Sequence, residues 1–153
     1  MKLLKFPRIV SVLLLTVILS ACGGSDTSVE TVEVTPGSVP NTLVGVYRGT
    51  LDARGEVSLL RLSESISQPI TITVREDNTI TFAGDDPDEV FTTDIGSNGG
   101  FNGSLPLNED GCSGTLNVSG TVDGTNAQGS VGGSGSCEGL DVDITGSFSA
   151  TRQ

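Results

Sequence analysis

The stretch Cys112-Ser113-Gly114-Thr115-Leu116-Asn117-Val118-Ser119-Gly120-Thr121-Val122-Asp123-Gly124-Thr125-Asn126-Ala127-Gln128-Gly129-Ser130-Val131-Gly132-Gly133-Ser134-Gly135-Ser136-Cys137 decides the fold. A type II′ turn takes glycine at its first central position, so Gly124 and Thr125 are read as the two central residues of a hairpin. Counting outward then pairs Ala127 with Val122, Val131 with Val118, Gly135 with Gly114 and Cys137 with Cys112. Parity supports this register independently, because successive strand residues point to opposite faces. Leu116, Val118, Val122, Ala127 and Val131 share the cysteine face, while Ser113, Thr115, Asn117, Ser119, Thr121, Gln128, Ser130, Ser134 and Ser136 take the other. Cys112 and Cys137 are therefore expected to form a cross-strand disulfide closing a loop of about 26 residues, worth about 3–4 kcal/mol by chain entropy. A catalytic thiol pair would need a CxxC spacing, or a histidine or lysine close by to hold a thiolate, and the stretch offers none of these.

The same two-residue period extends outward. Residues 141–152 place Val142, Ile144, Gly146, Phe148 and Ala150 on one parity, with Phe148 expected across Gly129, where an aromatic ring can cover a glycine. Upstream, Ile70, Ile72 and Val74 alternate with polar residues, and Ile80 and Phe82 do so after Glu76-Asp77-Asn78. A three-residue turn with Asn78 at positive φ sets Val74 opposite Ile80 and Ile72 opposite Phe82. Phe91, Thr93 and Ile95 form one face of the next strand. The loop 96–100 reverses the chain, and Phe101, Gly103 and Leu105 return along that face until Pro106, which is expected to end the strand. The first strand is expected over 42–51, with a turn at 52–55, a strand over 56–62 and a weakly patterned connection at 63–68. Eight or nine short strands joined by tight loops define an all-β chain, an antiparallel up-and-down β-barrel or a two-sheet β-sandwich. Its outward positions are Ser, Thr, Asn and Asp, the reverse of a transmembrane barrel, whose lipid face is apolar.

The amino terminus has a different character. Lys2, Lys5 and Arg8 precede the apolar run 9–19, which is too short for the roughly 20 apolar residues that span a bilayer and has the layout of an export signal. It ends in Leu19-Ser20-Ala21-Cys22, which resembles the lipobox of bacterial lipoproteins. The resemblance implies a diacylglyceryl group on the Cys22 thiol, cleavage before Cys22 and acylation of the new amine. Several acyl chains give membrane attachment that does not reverse readily. Gly23 is not the aspartate that retains such proteins at the inner membrane of Gram-negative cells, so the resemblance points to the outer membrane of the cell envelope. The expected organisation is a signal peptide over 1–21, a lipidated flexible tether over 22–41 and a β-domain over 42–153. Val29, Val32 and Val34 offer an alternative edge strand within the tether.

Charge narrows the function classes. Both lysines lie in the leader, so from Cys22 onward five arginines face nineteen acidic residues, a formal charge of −14. Nucleic-acid binding needs a basic footprint, which this chain lacks. A basic protein or a small apolar ligand is the expected partner class beyond the membrane itself. The chain has no histidine, which removes Ser-His-Asp and Cys-His arrangements and the commonest metal ligand. It also lacks a Gly-x-Ser-x-Gly elbow and a phosphate loop. Asp85, Asp86, Asp88, Glu89, Glu109 and Asp110 supply carboxylates of the type that serve glycosidases or calcium, but without a recognised spacing, so no catalytic residue, metal or cofactor is assigned. Gly45-Val46-Tyr47 on the first strand, with Arg152 on the apolar parity of the last, resembles the lipocalin arrangement of a Gly-x-Trp strand closed by an arginine, with Tyr in place of Trp. That likeness implies a barrel and, by fold analogy, an interior able to hold a ligand.

Overall fold

The computed structural model describes residues 29–57, 59, 60, 62–84, 90–109 and 111–153. Eight strands follow one another: β1 (Gly45–Val57), β2 (Leu62–Val74), β3 (Thr79–Ala83), β4 (Val90–Asp94), β5 (Gly100–Glu109), β6 (Cys112–Val122), β7 (Asn126–Cys137) and β8 (Leu140–Arg152). All pairings are antiparallel, in the order β4-β3-β2-β1-β8-β7-β6-β5. Each strand thus lies beside its sequence neighbour, and the return of β8 onto β1 joins the two halves. The remaining seam, between β4 and β5, is crossed by the Ile95–Phe101 bridge and by the Thr93 hydroxyl, which donates to the Asn102 carbonyl at 2.7 Å. The result is a nearly closed up-and-down barrel rather than a sandwich.

The β6–β7 hairpin has the register read from sequence, from Val122 opposite Ala127 to Cys112 opposite Cys137, and the two sulfurs are bonded. Gly124 has φ +90°, as the first central position of the turn requires. Asp123 fixes this turn by accepting the amides of Thr125 and Asn126. The β2–β3 hairpin also follows expectation, with Val74 opposite Ile80, Ile72 opposite Phe82 and Asn78 at φ +64°. Phe148 lies opposite Gly129, where a Cβ would meet its ring at 2.5 Å and the Ser119 carbonyl at 2.1 Å.

Other expectations are corrected. The first strand does not turn at 52–55: β1 continues to Val57, because Asp52, Arg54 and Glu56 fall on the outward parity while Gly55 is buried opposite Ile144 and Glu64. Arg54 pairs with Glu56 at 2.9 Å and donates to Ser63 at 2.9 Å, so these polar residues brace the strand instead of breaking it. Leu59 and Leu60, expected inside a strand, form the turn. The stretch 63–68, expected as a connection, belongs to β2, with serines outward and Glu64, Ile66 and Gln68 inward. Pro106 does not end β5, which continues to Glu109. A proline lacks an amide donor but can remain in a strand with an open edge, and β5 is a terminal strand of the sheet.

The expected tether is also different in its described part. Residues 29–40 form no strand, yet from Val29 onward they lie across the outer wall of β7, β6 and β5 as a strap. The Ser119 hydroxyl donates to the Glu30 carbonyl at 2.7 Å, and the Asn102 side chain both accepts from the Val32 amide at 3.1 Å and donates to the Val32 carbonyl. Asn98 repeats this arrangement, accepting from the Thr35 amide at 3.1 Å and donating to the Glu33 carbonyl at 2.8 Å. Ser119 is consequently buried on the wall that parity assigns to solvent. The strap then turns under the barrel, where Val39 and Leu43 are buried.

Two predictions test this architecture. Replacing both cysteines (Cys112→Ser with Cys137→Ser) should lower unfolding stability by about 2–4 kcal/mol in urea titrations, and thiol counting on the unreduced denatured protein should find none free in the described pair. Gly129→Val, which drives a side chain into backbone and the Phe148 ring, should cost at least about 1–3 kcal/mol by overpacking, read in the same titration.

Candidate functional site

The two ends of the barrel differ, and strand length causes the difference. β3 and β4 have five residues each, whereas β1, β2 and β8 have thirteen. β3 pairs with β2 only over Thr71–Val74, so the earlier part of β2 has no strand on that side. At the level that all eight strands share, the wall is nearly closed and a buried apolar core fills it. Tyr47, Ile72, Ile80 and Phe101 are fully buried there, and Phe82 packs on Phe91, Phe101 and Phe148 with ring centroids 5.4–5.8 Å apart.

The complete end is sealed. Leu43 is buried beside Gly99 and Gly124, and its carbonyl accepts the Tyr47 hydroxyl at 2.7 Å. Arg152, opposite Tyr47 in the β1–β8 ladder, donates to the carbonyls of Thr42 at 2.7 Å, Gly124 at 3.2 Å and Val44 at 2.6 Å. A Cβ at Gly45 would lie 3.0 Å from the Arg152 Nε, so glycine leaves room for the guanidinium. The residues that carried the lipocalin likeness are therefore gathered into one closure. Burial raises the Tyr47 phenol above its ordinary pKa, the Arg152 charge opposes that shift, and Asp123 adds to it. The phenol stays protonated and donates, which is a structural duty.

Beyond β3 and β4 the six long strands form an open trough. Its inward parity carries Leu51, Leu62, Ile66, Leu105, Leu116 and Ile144, all half-buried, beside Val142 and Cys137, which are buried; at the sealed end Tyr47, Ile72, Val74, Ile80 and Phe101 on the same parity are almost fully buried. Glycines line the floor: Gly114 faces Gly135 across β6–β7, and a Cβ at Gly114, Gly133 or Gly146 would strike neighbouring backbone within 3 Å. Glu64 and Gln68 add polar groups from β2. Pro69 and Pro106 stand on β2 and β5, the two strands bordering the opening. A proline cannot donate to an added strand, which protects such edges from extension. The disulfide lies at the far end of the trough, joining β6 to β7 next to the turn at Glu138.

Cys22 lies outside the described residues, as does the acidic stretch 85–89 with Asp85, Asp86, Asp88 and Glu89, and Asp110. Among the described residues no three His, Cys, Asp or Glu side chains converge as metal ligands would. The depressed carboxylates Asp77 and Asp123 serve turns: Asp77 is held below its ordinary pKa by the Thr79 hydroxyl, and Asp123 by the amides of Asn126 and Thr125. Sequence reasoning found the closing arginine and the disulfide but missed the trough, whose signal was the unequal spacing of hairpin turns. No protein-family model matches the chain, and comparison with curated proteins finds no relative.

A carboxylate whose folded pKa is depressed contributes stability above its unfolded value and loses that contribution as pH falls through the folded value. Asp77 and Asp123 should therefore sharpen the acid-side loss of stability below about pH 4. Asp123→Asn is expected to flatten the fall of the thermal midpoint over that range, measured by circular dichroism.

Proposed function

We propose that this is an exported lipoprotein, fastened through Cys22 to the outer membrane of the cell envelope, whose barrel is a non-catalytic binding domain for a small apolar ligand. The observation that carries the reading is the contrast between the two ends. Leu51, Leu62, Ile66, Leu105, Leu116 and Ile144 face inward yet remain only half-buried, while Tyr47, Ile72, Val74, Ile80 and Phe101 on the same parity are buried at the other end. Exposed aliphatic surface favours transfer of an apolar molecule out of water by about 25 cal/mol per Å² covered. Concave, mostly apolar surfaces with a few polar groups are the usual form of small-molecule sites. The glycine floor deepens the trough without filling it, and Glu64 and Gln68 give an amphiphile a polar contact at one wall.

The anchor reading rests on Leu19-Ser20-Ala21-Cys22 and the charged, apolar leader before it. The non-catalytic reading rests on the absence of histidine from the sequence and on the turn-building roles of the shifted carboxylates. The excess of nineteen acidic residues over five arginines beyond the leader supports a second reading, capture of a basic protein on the outer wall. Salt separates the two: capture on the wall weakens as salt rises, and apolar binding does not.

Titration with a fluorescent fatty acid should show saturable binding that is retained in high salt. Leu116→Asp places a charge in the trough and should weaken that binding by at least about tenfold, since burying an unpaired charge costs more than 1.4 kcal/mol. Equal binding by the wild type and Leu116→Asp, with circular dichroism unchanged, would reject the trough as the site.

A further inference from the structure

The strap and the trough point the same way. From Val39 beneath the barrel the chain, traced backward, passes the β4–β5 turn at Asn98 and then Asn102 on β5 and Ser119 on β6, reaching Gly132 on β7, where a Cβ would meet Val29 at 2.5 Å. It therefore climbs the outer wall diagonally, from the sealed end toward the open one. Gly132 is five residues short of Cys137 at the open rim, about 17 Å at strand rise. Cys22 precedes Val29 by seven residues, a reach of at most about 25 Å. A free tether from Cys22 to the first strand would let the barrel tumble; the strap holds the chain against the wall from Val29 onward.

A second observation is independent of the strap. Four large apolar side chains are exposed among the described residues, and two stand at the open rim, Leu59 at 78% and Leu60 at 49% exposure in the β1–β2 turn; a third, Val90, lies lower, on the lip of the β3–β4 hairpin level with Thr71. The fourth, Val46, stands on the outer wall near the sealed end.

We infer that the open rim is a membrane-docking face: Leu59 and Leu60 enter the bilayer surface that holds Cys22, and the strap on Asn98, Asn102 and Ser119 holds the barrel in that orientation. The proposal rests on the lipid-anchor reading of Cys22. It makes the acyl region of the anchoring bilayer the surface that the trough opens onto. The acidic wall makes a zwitterionic surface the suitable probe, because an anionic one would repel it.

The chain has no tryptophan, so a single indole reports its own surroundings. The full-length lipidated protein carrying Leu60→Trp, and separately Val46→Trp, is reconstituted into phosphatidylcholine vesicles with brominated acyl chains. Brominated chains should quench the Leu60→Trp indole at least about twofold, as expected for a side chain at the headgroup–acyl boundary, and leave the Val46→Trp indole nearly unchanged. Adding Asn102→Ala and Ser119→Ala to the Leu60→Trp protein should reduce the quenching while circular dichroism keeps the barrel signature. Equal quenching at the two positions, stronger quenching of Val46→Trp, or quenching indifferent to loss of the strap contacts would overturn the orientation. Intact mass is read on the same samples: acylated Cys22 without quenching removes the docking face alone, and unmodified Cys22 removes the anchor and the docking face together.

Discussion

A barrel wall closes only as far as its shortest strands reach, and in this molecule that limit is set by the five-residue strands β3 and β4. Below their ends all eight strands contribute, Phe82, Phe91, Phe101 and Phe148 interlock, and Tyr47, Ile72, Val74, Ile80 and Phe101 lose nearly all contact with water. Above them six strands continue without neighbours on two edges. The larger aliphatic residues there have the same apolar character, but Leu51, Leu62, Ile66, Leu105, Leu116 and Ile144 stay half-buried. Both the sealed core and the open trough follow from one mismatch of strand lengths, and the prolines of β2 and β5 sit where that mismatch would otherwise invite a ninth strand.

The parts of the fold legible in the sequence were those in which parity and turn chemistry agreed. Cys112, Gly124 and Cys137 left a single register, and Asn78 between two alternating runs left another. The misreadings share a cause. Asp52-Ala53-Arg54-Gly55 has the composition of a turn, but a strand exposed on one face also needs polar residues at alternate positions, and composition does not separate the two. The neighbouring Leu59 and Leu60 look like strand and form the turn, where their exposure makes sense only beside the opening. The trough left no local signature, because half-burial depends on strands that are missing from one side rather than on the residues that line it. The strap was illegible for a related reason: its partners Asn98, Asn102 and Ser119 lie about 60 to 90 positions away and read as ordinary outward polar residues.

The sealed end shows how few residues define a barrel closure. An arginine on the last strand satisfies three carbonyls of the entering chain and the β6–β7 turn, and a tyrosine holds Leu43 from within. Gly45, Tyr47 and Arg152, which carried the lipocalin likeness in the sequence, meet in this closure. The closure and the trough lie at opposite ends and share no side chain.

The strap also bears on where the folded unit begins. Alternation of apolar residues places the boundary near Thr42, yet a recombinant domain started there would lose the peptide that covers Ser119 and engages both asparagines, and would leave Gly132 without Val29 above it. Those side chains would turn to water and the outer surface of β5, β6 and β7 would be newly bare. A preparation cut at that point would misreport solubility and self-association, whereas one retaining the residues from 29 onward keeps these contacts.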